Sequence, residues 1–307
     1  VYIAKESIYQ SKLRITMGDR MLTLDEKKIR KGKPLGLPYQ GSKKKISKKI
    51  IEIIKQNFGT DKPIYDIFGG GGAIAAECML NGLEVHYNDL DKDITDMFQR
   101  VISQDREWIK TLIVNRQEFL KIKNKDIKTV DDNLKLLVNS FGNNKRSYLY
   151  SAEWANLKYN LAIEIIDKHD VFSGYKQTET WLNQYRELQQ LQRLQQLQRL
   201  EQLERLQQLE RLEATNLSYE AFSDIEGAIF YLDPPYENTI HETYKGDFNS
   251  QTFYDWAFEM SKKNIVLISS YEISDNRFKS VYEFKTARST MQGGAAGNKT
   301  EKLFMAV

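Results

Sequence analysis

Apolar positions along the chain change period from segment to segment. In residues 43–58, Ile46, Ile50, Ile51, Ile53, Ile54 and Phe58 share one side, lysines fill the other, and Gly59 follows, which predicts an amphipathic helix. Residues 63–68 form a short apolar run that predicts a buried strand. The run leads into Gly69-Gly-Gly-Gly72, then a small-residue helix over 73–81 closed by Gly82. Residues 84–88 read as a second strand ending at Asp89, and 91–103 as the next helix. Strand, glycine turn, helix, strand is a βαβ unit, so the fold class is α/β with a parallel sheet covered by helices.

Residues 108–176 contain no proline, and their periodicity predicts helices broken by one polar loop over 139–147. A different pattern follows. Leu188, Leu191, Leu194, Leu197, Leu200, Leu203, Leu206, Leu209 and Leu212 recur every third residue, with only Gln, Arg and Glu between them. In an α-helix each step of three turns about 300°, so the leucines spiral round the helix. A 3₁₀-helix would align them but rarely runs long, and a solenoid coil is a third arrangement. The residue types favour α-helix. The repeat reads as a spacer inside an insertion, or else as an interaction arm. Sheet patterning then resumes: strands over 227–232 and 264–269, a helix over 253–262, and closing strands over 281–285 and 302–307. One sheet is thus predicted to be split by a helical insertion.

Composition narrows the class. The 307 residues are 41% hydrophobic and 28% charged, with mean hydropathy −0.57, and no run approaches the roughly 18 apolar residues of a membrane span. The first residues lack the apolar core of a secretion signal. One cysteine, Cys78, cannot form an internal disulfide, and His86, His169 and His241 are too scattered for a metal cluster. These features point to a cytoplasmic protein without metal and disfavour a disulfide scaffold or a zinc enzyme. The net charge of +3 conceals an asymmetry: residues 1–60 hold fifteen Lys and Arg against five Asp and Glu. Such a basic end suits a polyanionic partner, or a solvated lysine-rich surface.

Two motifs carry chemistry. Asp66-Ile-Phe-Gly-Gly-Gly-Gly72 places glycines directly after a strand, where backbone approaches a ligand closely and a helix N-terminus offers free N–H groups. Asp89, ending the next strand, stands where ribose hydroxyls are gripped in nucleoside-binding α/β folds. The pattern suits a nucleoside ligand, or a tight structural turn. Asp233-Pro-Pro-Tyr236 ends another strand, at the edge where ligands of open α/β sheets bind. Its prolines stop the strand and stiffen the turn. One carboxylate, a prolyl carbonyl and an aromatic ring then suit a planar ring bearing an amine: the ring stacks on Tyr236, and the amino hydrogens go to Asp233 and the Pro234 carbonyl.

Phe68 to Ala73 together with Asp233-Pro-Pro-Tyr236 resembles the S-adenosylmethionine-dependent DNA adenine-N6 methyltransferases of the Dam type. Leu37-Pro-Tyr-Gln-Gly-Ser-Lys43 resembles that family's N-terminal motif, and the motif order is that of its alpha group. The resemblance implies a Rossmann-like methyltransferase sheet formed by 34–105 and 213–307, a target-recognition insertion over 106–212 that includes the repeat 186–212, and a basic extension over 1–33. It implies that Tyr39, Lys43, Asp66, Phe68, Gly69, Gly70, Gly71, Asp89 and Asp233 line the S-adenosylmethionine pocket. By the same resemblance Asp233, Pro234, Pro235 and Tyr236 hold an adenine of double-stranded DNA, flipped out because its N6 is paired in the duplex. The loop Phe141-Gly-Asn-Asn-Lys-Arg146-Ser-Tyr148 is similar to one in phage-type members, which implies DNA contacts from Asn143, Lys145, Arg146 and Tyr148. Arg288 and Asn298 flank a Gly-rich stretch, 292–297, near the target pocket. Catalysis by this family implies direct attack of N6 on the donor methyl, without metal or covalent intermediate.

The repeat and the residues before Pro34 depart from the family pattern. Methylation of cytosine N4, and a non-catalytic DNA-binding protein that self-associates through the repeat, are the competing readings. Restriction–modification, replication control and evasion of phage defence would share these motifs.

Overall fold

The computed structural model describes residues 21–39, 42–187, 193–209, 211–237, 248–288 and 300–307. Leu188 and Leu191 of the repeat, His241, Asn298 and the 292–297 stretch lie outside the described residues. Seven strands form one sheet: β1 (Ile64–Asp66), β2 (Val85–Asn88), β3 (Ala214–Thr215), β4 (Ile229–Leu232), β5 (Ile265–Ser270), β6 (Phe278–Arg288) and β7 (Thr300–Ala306). Their order is β3-β2-β1-β4-β5-β7-β6. The first five pair in parallel, whereas β7 runs antiparallel between β5 and β6. From β1 the chain moves outward to β2 and β3, then returns to place β4 on the other side of β1. That reversal opens a crevice at the carboxyl ends of β1 and β4, the place where open α/β sheets bind ligands.

The helices over the sheet follow the predicted periodicity. α1 (Ser47–Phe58) buries Ile50, Ile51, Ile53 and Ile54 against the sheet, after a 3₁₀ turn at Lys43–Lys45. α2 (Ala73–Leu80) starts at Gly72, and α3 (Lys92–Ile102) is capped by Asp91, whose side chain accepts from the Asp93 N–H. The two-residue β3 and the full lengths of β6 and β7 exceed what the apolar runs predict. β3 is too short to show a period, and β6 buries Phe278, Val281 and Phe284 at steps of three, because register shifts between Ser280 and Tyr282 and after Glu283 break the two-residue alternation.

Between β2 and β3 the chain is helical: α4 (Arg106–Lys110), α5 (Arg116–Lys123), α6 (Val130–Asn139), α7 (Ala152–Lys168), α8 (Glu179–Glu187) and α9 (Gln195–Leu206), followed by a 3₁₀ turn at Gln207–Leu209. One more helix, α10 (Ser250–Ser261), joins β4 to β5 and begins at Asn249, whose side chain accepts from the Thr252 N–H at 3.0 Å.

The described part of the repeat is core. Leu194, Leu197, Leu200, Leu203, Leu206, Leu209 and Leu212 are each at most 4% exposed, and no residue of α9 is exposed. A step of about 300° sweeps Leu197 through Leu206 across half the circumference, so a period of three fits an α-helix that different neighbours surround in turn. α9 meets α3, α4, α6 and the turn at Val171–Ser173, and its leucines belong to the core cluster that also holds Tyr87 of β2 and Phe98 of α3. These leucines therefore leave no apolar stripe for a second copy.

The described part of the basic extension is a strap. Leu22 and Leu24 pack on the α1 side of the core, and the Leu22 N–H donates to the Val281 carbonyl at 2.8 Å. Arg30 forms a two-pronged pair with buried Glu77 of α2 at 2.8 and 2.9 Å. If the repeat is core, Leu200→Ala will lower unfolding free energy by about 2–5 kcal/mol. Arg211→Gln, at an exposed position of the same repeat, will change it by about 0.5 kcal/mol or less. Denaturant titration of the two variants measures both.

Candidate active site

β1 delivers Asp66 and then turns sharply. Asp66 is 1% exposed, and its Oδ2 accepts from the Ala75 N–H of α2 at 3.1 Å. Burial pushes its carboxyl up to about 8, against the pull of that N–H and helped by the nearby carboxylates of Asp233 and Asp89. Gly70 and Gly72 take positive φ values of 47° and 71°, which favour glycine. Space adds a second demand, since a Cβ at Gly69 would overlap the Tyr87 ring and one at Gly72 the Phe98 ring. The turn is latched to its neighbours: Gly69 N–H to the Asn88 carbonyl (2.9 Å), Leu37 N–H to the Gly71 carbonyl (2.8 Å) and Tyr87 hydroxyl to the Gly70 carbonyl (2.7 Å).

Asp89 continues this latch. Its Oδ2 accepts from the Gly70 N–H at 2.7 Å and its Oδ1 from the Asp91 N–H at 2.8 Å. Burial nevertheless raises its pKa above the usual carboxylate range. Beside it, buried Asn88 ties three segments together through the carbonyls of Ile67 and Leu217 and the Leu217 N–H. That network places Leu217, which the sequence does not single out, in the lining of a cavity of about 420 Å³ that Leu90 also lines. Tyr39, Lys43, Asp66, Phe68, the glycines 69–71, Asp89 and Asp233 all line this cavity. Phe68 is held there edge-on to Phe253 and Phe248, with Tyr219 stacked beside it.

At the far end of the cavity a charged cluster joins four elements. The Lys43 ammonium lies 2.8 Å from Asp233 Oδ1 and 3.6 Å from Glu301 Oε1, and it donates to the Tyr236 hydroxyl at 2.5 Å. Tyr236 donates to Glu301 Oε1 at 2.6 Å, with Asp233 Oδ1 3.2 Å away. Ser269 of β5 donates to the same Glu301 oxygen at 2.6 Å. Burial raises Asp233 above its ordinary value; Lys43 opposes that shift and Glu301 adds to it. Burial also disfavours the Lys43 ammonium, but the two carboxylates outweigh it and hold the amine charged. Burial, then the facing carboxylates, keeps the Tyr236 phenol neutral.

Tyr236 thus enters the cluster by its hydroxyl, while its ring meets Tyr271 edge-on at 4.7 Å and the Lys43 ammonium at 4.9 Å from the centroid. Glu301 and Ser269 escape sequence reasoning. Neither belongs to a motif, and only the insertion of β7 beside β5 brings them to Asp233; a lone Glu at the start of an apolar strand was the available signal.

The loop after α6 stands apart from the cavity. Ser140 bridges to Tyr148, and the tip holds Gly142, Asn143 and Lys145 at positive φ. Phe141 is 65% exposed and Arg146 is exposed. Tyr148 instead points inward, its hydroxyl donating to the Val114 carbonyl at 3.0 Å, so it supports the loop from below. Arg288 ends β6, paired with Thr300.

Among the described residues no group of His, Cys, Asp and Glu could hold a metal ion, and no helix is long and apolar enough to cross a membrane. The chain has no match among curated proteins. A family model described as D12 class N6 adenine-specific DNA methyltransferase matches residues 39–289, a span that begins with Tyr39, contains the glycine turn, Asp233 and Tyr236, and ends just beyond β6. The sheet order, the cavity at its reversal and this match agree: the chain belongs to the D12 class N6 adenine-specific DNA methyltransferase family and is an adenine-N6 DNA methyltransferase.

Proposed function

We propose that the cavity at the β1–β4 reversal binds S-adenosylmethionine and that the chain transfers its methyl group to N6 of an adenine flipped out of double-stranded DNA. One observation carries the reading. A glycine-floored cavity of about 420 Å³ leads from Asp89, at a strand end suited to ribose hydroxyls, directly to the Asp233 carboxylate. The donor fits this lining: Asp89 retains lone pairs beyond its two backbone bonds, and Asp66 is a buried carboxyl able to meet a cationic amino-acid head. Leu90 and Leu217 line the same cavity and would cover a flat base. When bound, S-adenosylmethionine supplies an electrophilic methyl group.

The protein's own groups do the rest by position and charge. The Asp233 carboxylate accepts one hydrogen of the adenine amine, and the Pro234 carbonyl accepts the other. Both orient the nitrogen lone pair and stabilise the positive charge it acquires. Lys43 keeps Asp233 ionised and fixes its rotamer, which its raised pKa would otherwise leave prone to protonation. Pro235 walls the pocket. Tyr236, anchored through its hydroxyl, presents its ring to the target base.

Segments 34–105 and 213–307 form the catalytic unit of this reading, with 106–212 recognising the target. Asn143, Lys145 and Arg146 at the exposed loop meet DNA, the two cations by phosphate or base-edge contacts. The order of the motifs supports assignment to the Dam type.

Two experiments test the reading. Asp233→Ala, incubated with S-adenosylmethionine and DNA from a host lacking adenine methylation, will show N6-methyldeoxyadenosine formation reduced by roughly 10²–10³-fold, with DNA binding retained. Mass spectrometry of digested nucleosides decides this, and methyl on cytosine N4, or unaltered transfer by the variant, overturns it. The second concerns pH. Asp66 has a folded pKa of about 8, so below that pH a cationic ligand must displace its proton. Donor affinity will therefore rise between pH 6 and 8 and then level off, whereas Asp66→Asn will bind more weakly with a flat profile. Calorimetry across that range, in buffers of different ionisation enthalpy, reads both the affinity and the released proton.

A further inference from the structure

The polar residues of the leucine repeat have no part in the site described above, yet two are buried beside the leucines. Gln196 is 0% and Arg199 8% exposed. Arg199 Nη1 donates to the carbonyls of Leu137 (3.4 Å), Val138 (2.5 Å) and Ser140 (2.8 Å), which end α6 and begin the exposed loop. Among the described residues Arg199 forms no ion pair, and burial pulls its pKa down to about 10. Gln196 Nε2 donates to Asn139 Oδ1, the Val114 carbonyl and the Tyr148 hydroxyl, and so grips both stems of the same loop. The Asn139 carbonyl in turn accepts from the Leu149 N–H at 2.9 Å.

Packing alone does not account for an arginine here. A guanidinium buried against carbonyls, without a carboxylate, is expensive in free energy, and a leucine at that position would extend the core without the penalty. Favourable terms are the negative end of the α6 dipole and the Leu137 and Val138 carbonyls of its last turn. The loop needs such a hold, because Asn143 and Lys145 adopt left-handed backbone conformations that side chains disfavour. Ser140, whose carbonyl Arg199 fixes, also accepts from the Lys145 N–H through its Oγ at 2.9 Å. About one turn beyond Arg199 on α9, Gln202 Oε1 accepts from Lys44 Nζ at 3.3 Å, next to the Lys43 that binds Asp233. One helix therefore touches the base of the loop and Lys44, the neighbour of cavity-lining Lys43.

We propose that α9 is a strut that sets the 140–148 loop at a fixed distance from Asp233, with Arg199 and Gln196 as positioning residues for DNA engagement. This rests on the assignment of that loop to DNA. A DNA-contacting loop must be in register with the extruded adenine, and a rigid helix between the two anchors supplies that register.

The test compares Arg199→Gln, Arg199→Lys and the double variant Lys145→Ala with Arg146→Ala, each well below its melting temperature. Arg199→Gln will lower kcat/KM for DNA on the order of ten- to a hundredfold, mainly through KM. Its affinity for S-adenosylmethionine will stay within about twofold of the parent's, and amide hydrogen exchange will quicken over 140–149 but not in α2 or α3. Arg199→Lys, which keeps a cation able to donate to the same carbonyls, will recover part of the DNA KM. The inference is overturned if KM for DNA is unchanged in Arg199→Gln, if exchange over 140–149 does not quicken, or if donor and DNA binding fall together. The double variant separates the two readings. Weaker DNA binding there with a normal Arg199→Gln removes only the strut, whereas normal DNA binding in the double variant removes the loop's assignment to DNA.

Discussion

The site turns on one ammonium group. Asp233, Glu301 and the Tyr236 hydroxyl converge from β4, β7 and the turn after β4, and they place two carboxylates and a phenol in a largely buried space. Without a cation, like-charge repulsion and desolvation would protonate one carboxyl or splay the strands' ends apart. Lys43 prevents both by lying within 2.8 Å of Asp233 and 3.6 Å of Glu301. It comes from outside the sheet, on the turn that opens α1, so its placement requires α1 to dock on the sheet and the segment 35–39 to latch onto the glycine turn. The Leu37 N–H bond to the Gly71 carbonyl makes that latch. The glycine-turn cavity, the Asp233 cluster and the N-terminal segment are thereby made interdependent.

What the sequence revealed of this arrangement depended on range. The glycine turn, Asp66, Asp89 and the Asp233 to Tyr236 turn each express a local demand: a positive φ, a close approach, a strand that must stop. Local demands leave local motifs, and the cavity is lined by those residues and by Tyr39 and Lys43. Glu301 is different. Its meaning arises only when β7 inserts antiparallel beside β5, pairing Phe304 with Ile268 and Leu303 with Ser269, which turns Glu301 toward Lys43 and Tyr236. Nothing near Glu301 in the chain announces that pairing. β3 was hidden for a related reason, since two residues carry no periodicity, and its position follows from Asn88 and Thr215.

Charge reads two ways in one place. The lysines and arginines early in the chain suit a polyanionic partner, and the family acts on DNA, yet some of them also serve the fold: Arg30 is bound to buried Glu77 and Lys49 to Glu26. Net charge counts groups without regard to their partners, so a strap stapled by ion pairs resembles a basic arm until its contacts are known.

The leucine repeat shows the same limit from the opposite side. A spacing of three looks wrong for an α-helix because textured templates assume one buried face and one wet one. In α9 the leucines, Gln196 and Arg199 bury a full half of the circumference while the other half is only partly covered, and a stripe that rotates by about 60° against the helix per leucine spreads across that wide buried half. In such a helix the leucines are interchangeable supports. The polar residues between them carry the individuality, because each buried polar group must find specific partners or lose stability. Gln196 and Arg199 find theirs at the two stems of one loop, and Gln202 finds Lys44. A low-complexity pattern can thus encode a defined geometry: its apolar period keeps the helix inside, and a few departures from exposure among its Gln and Arg residues decide what that helix holds in place.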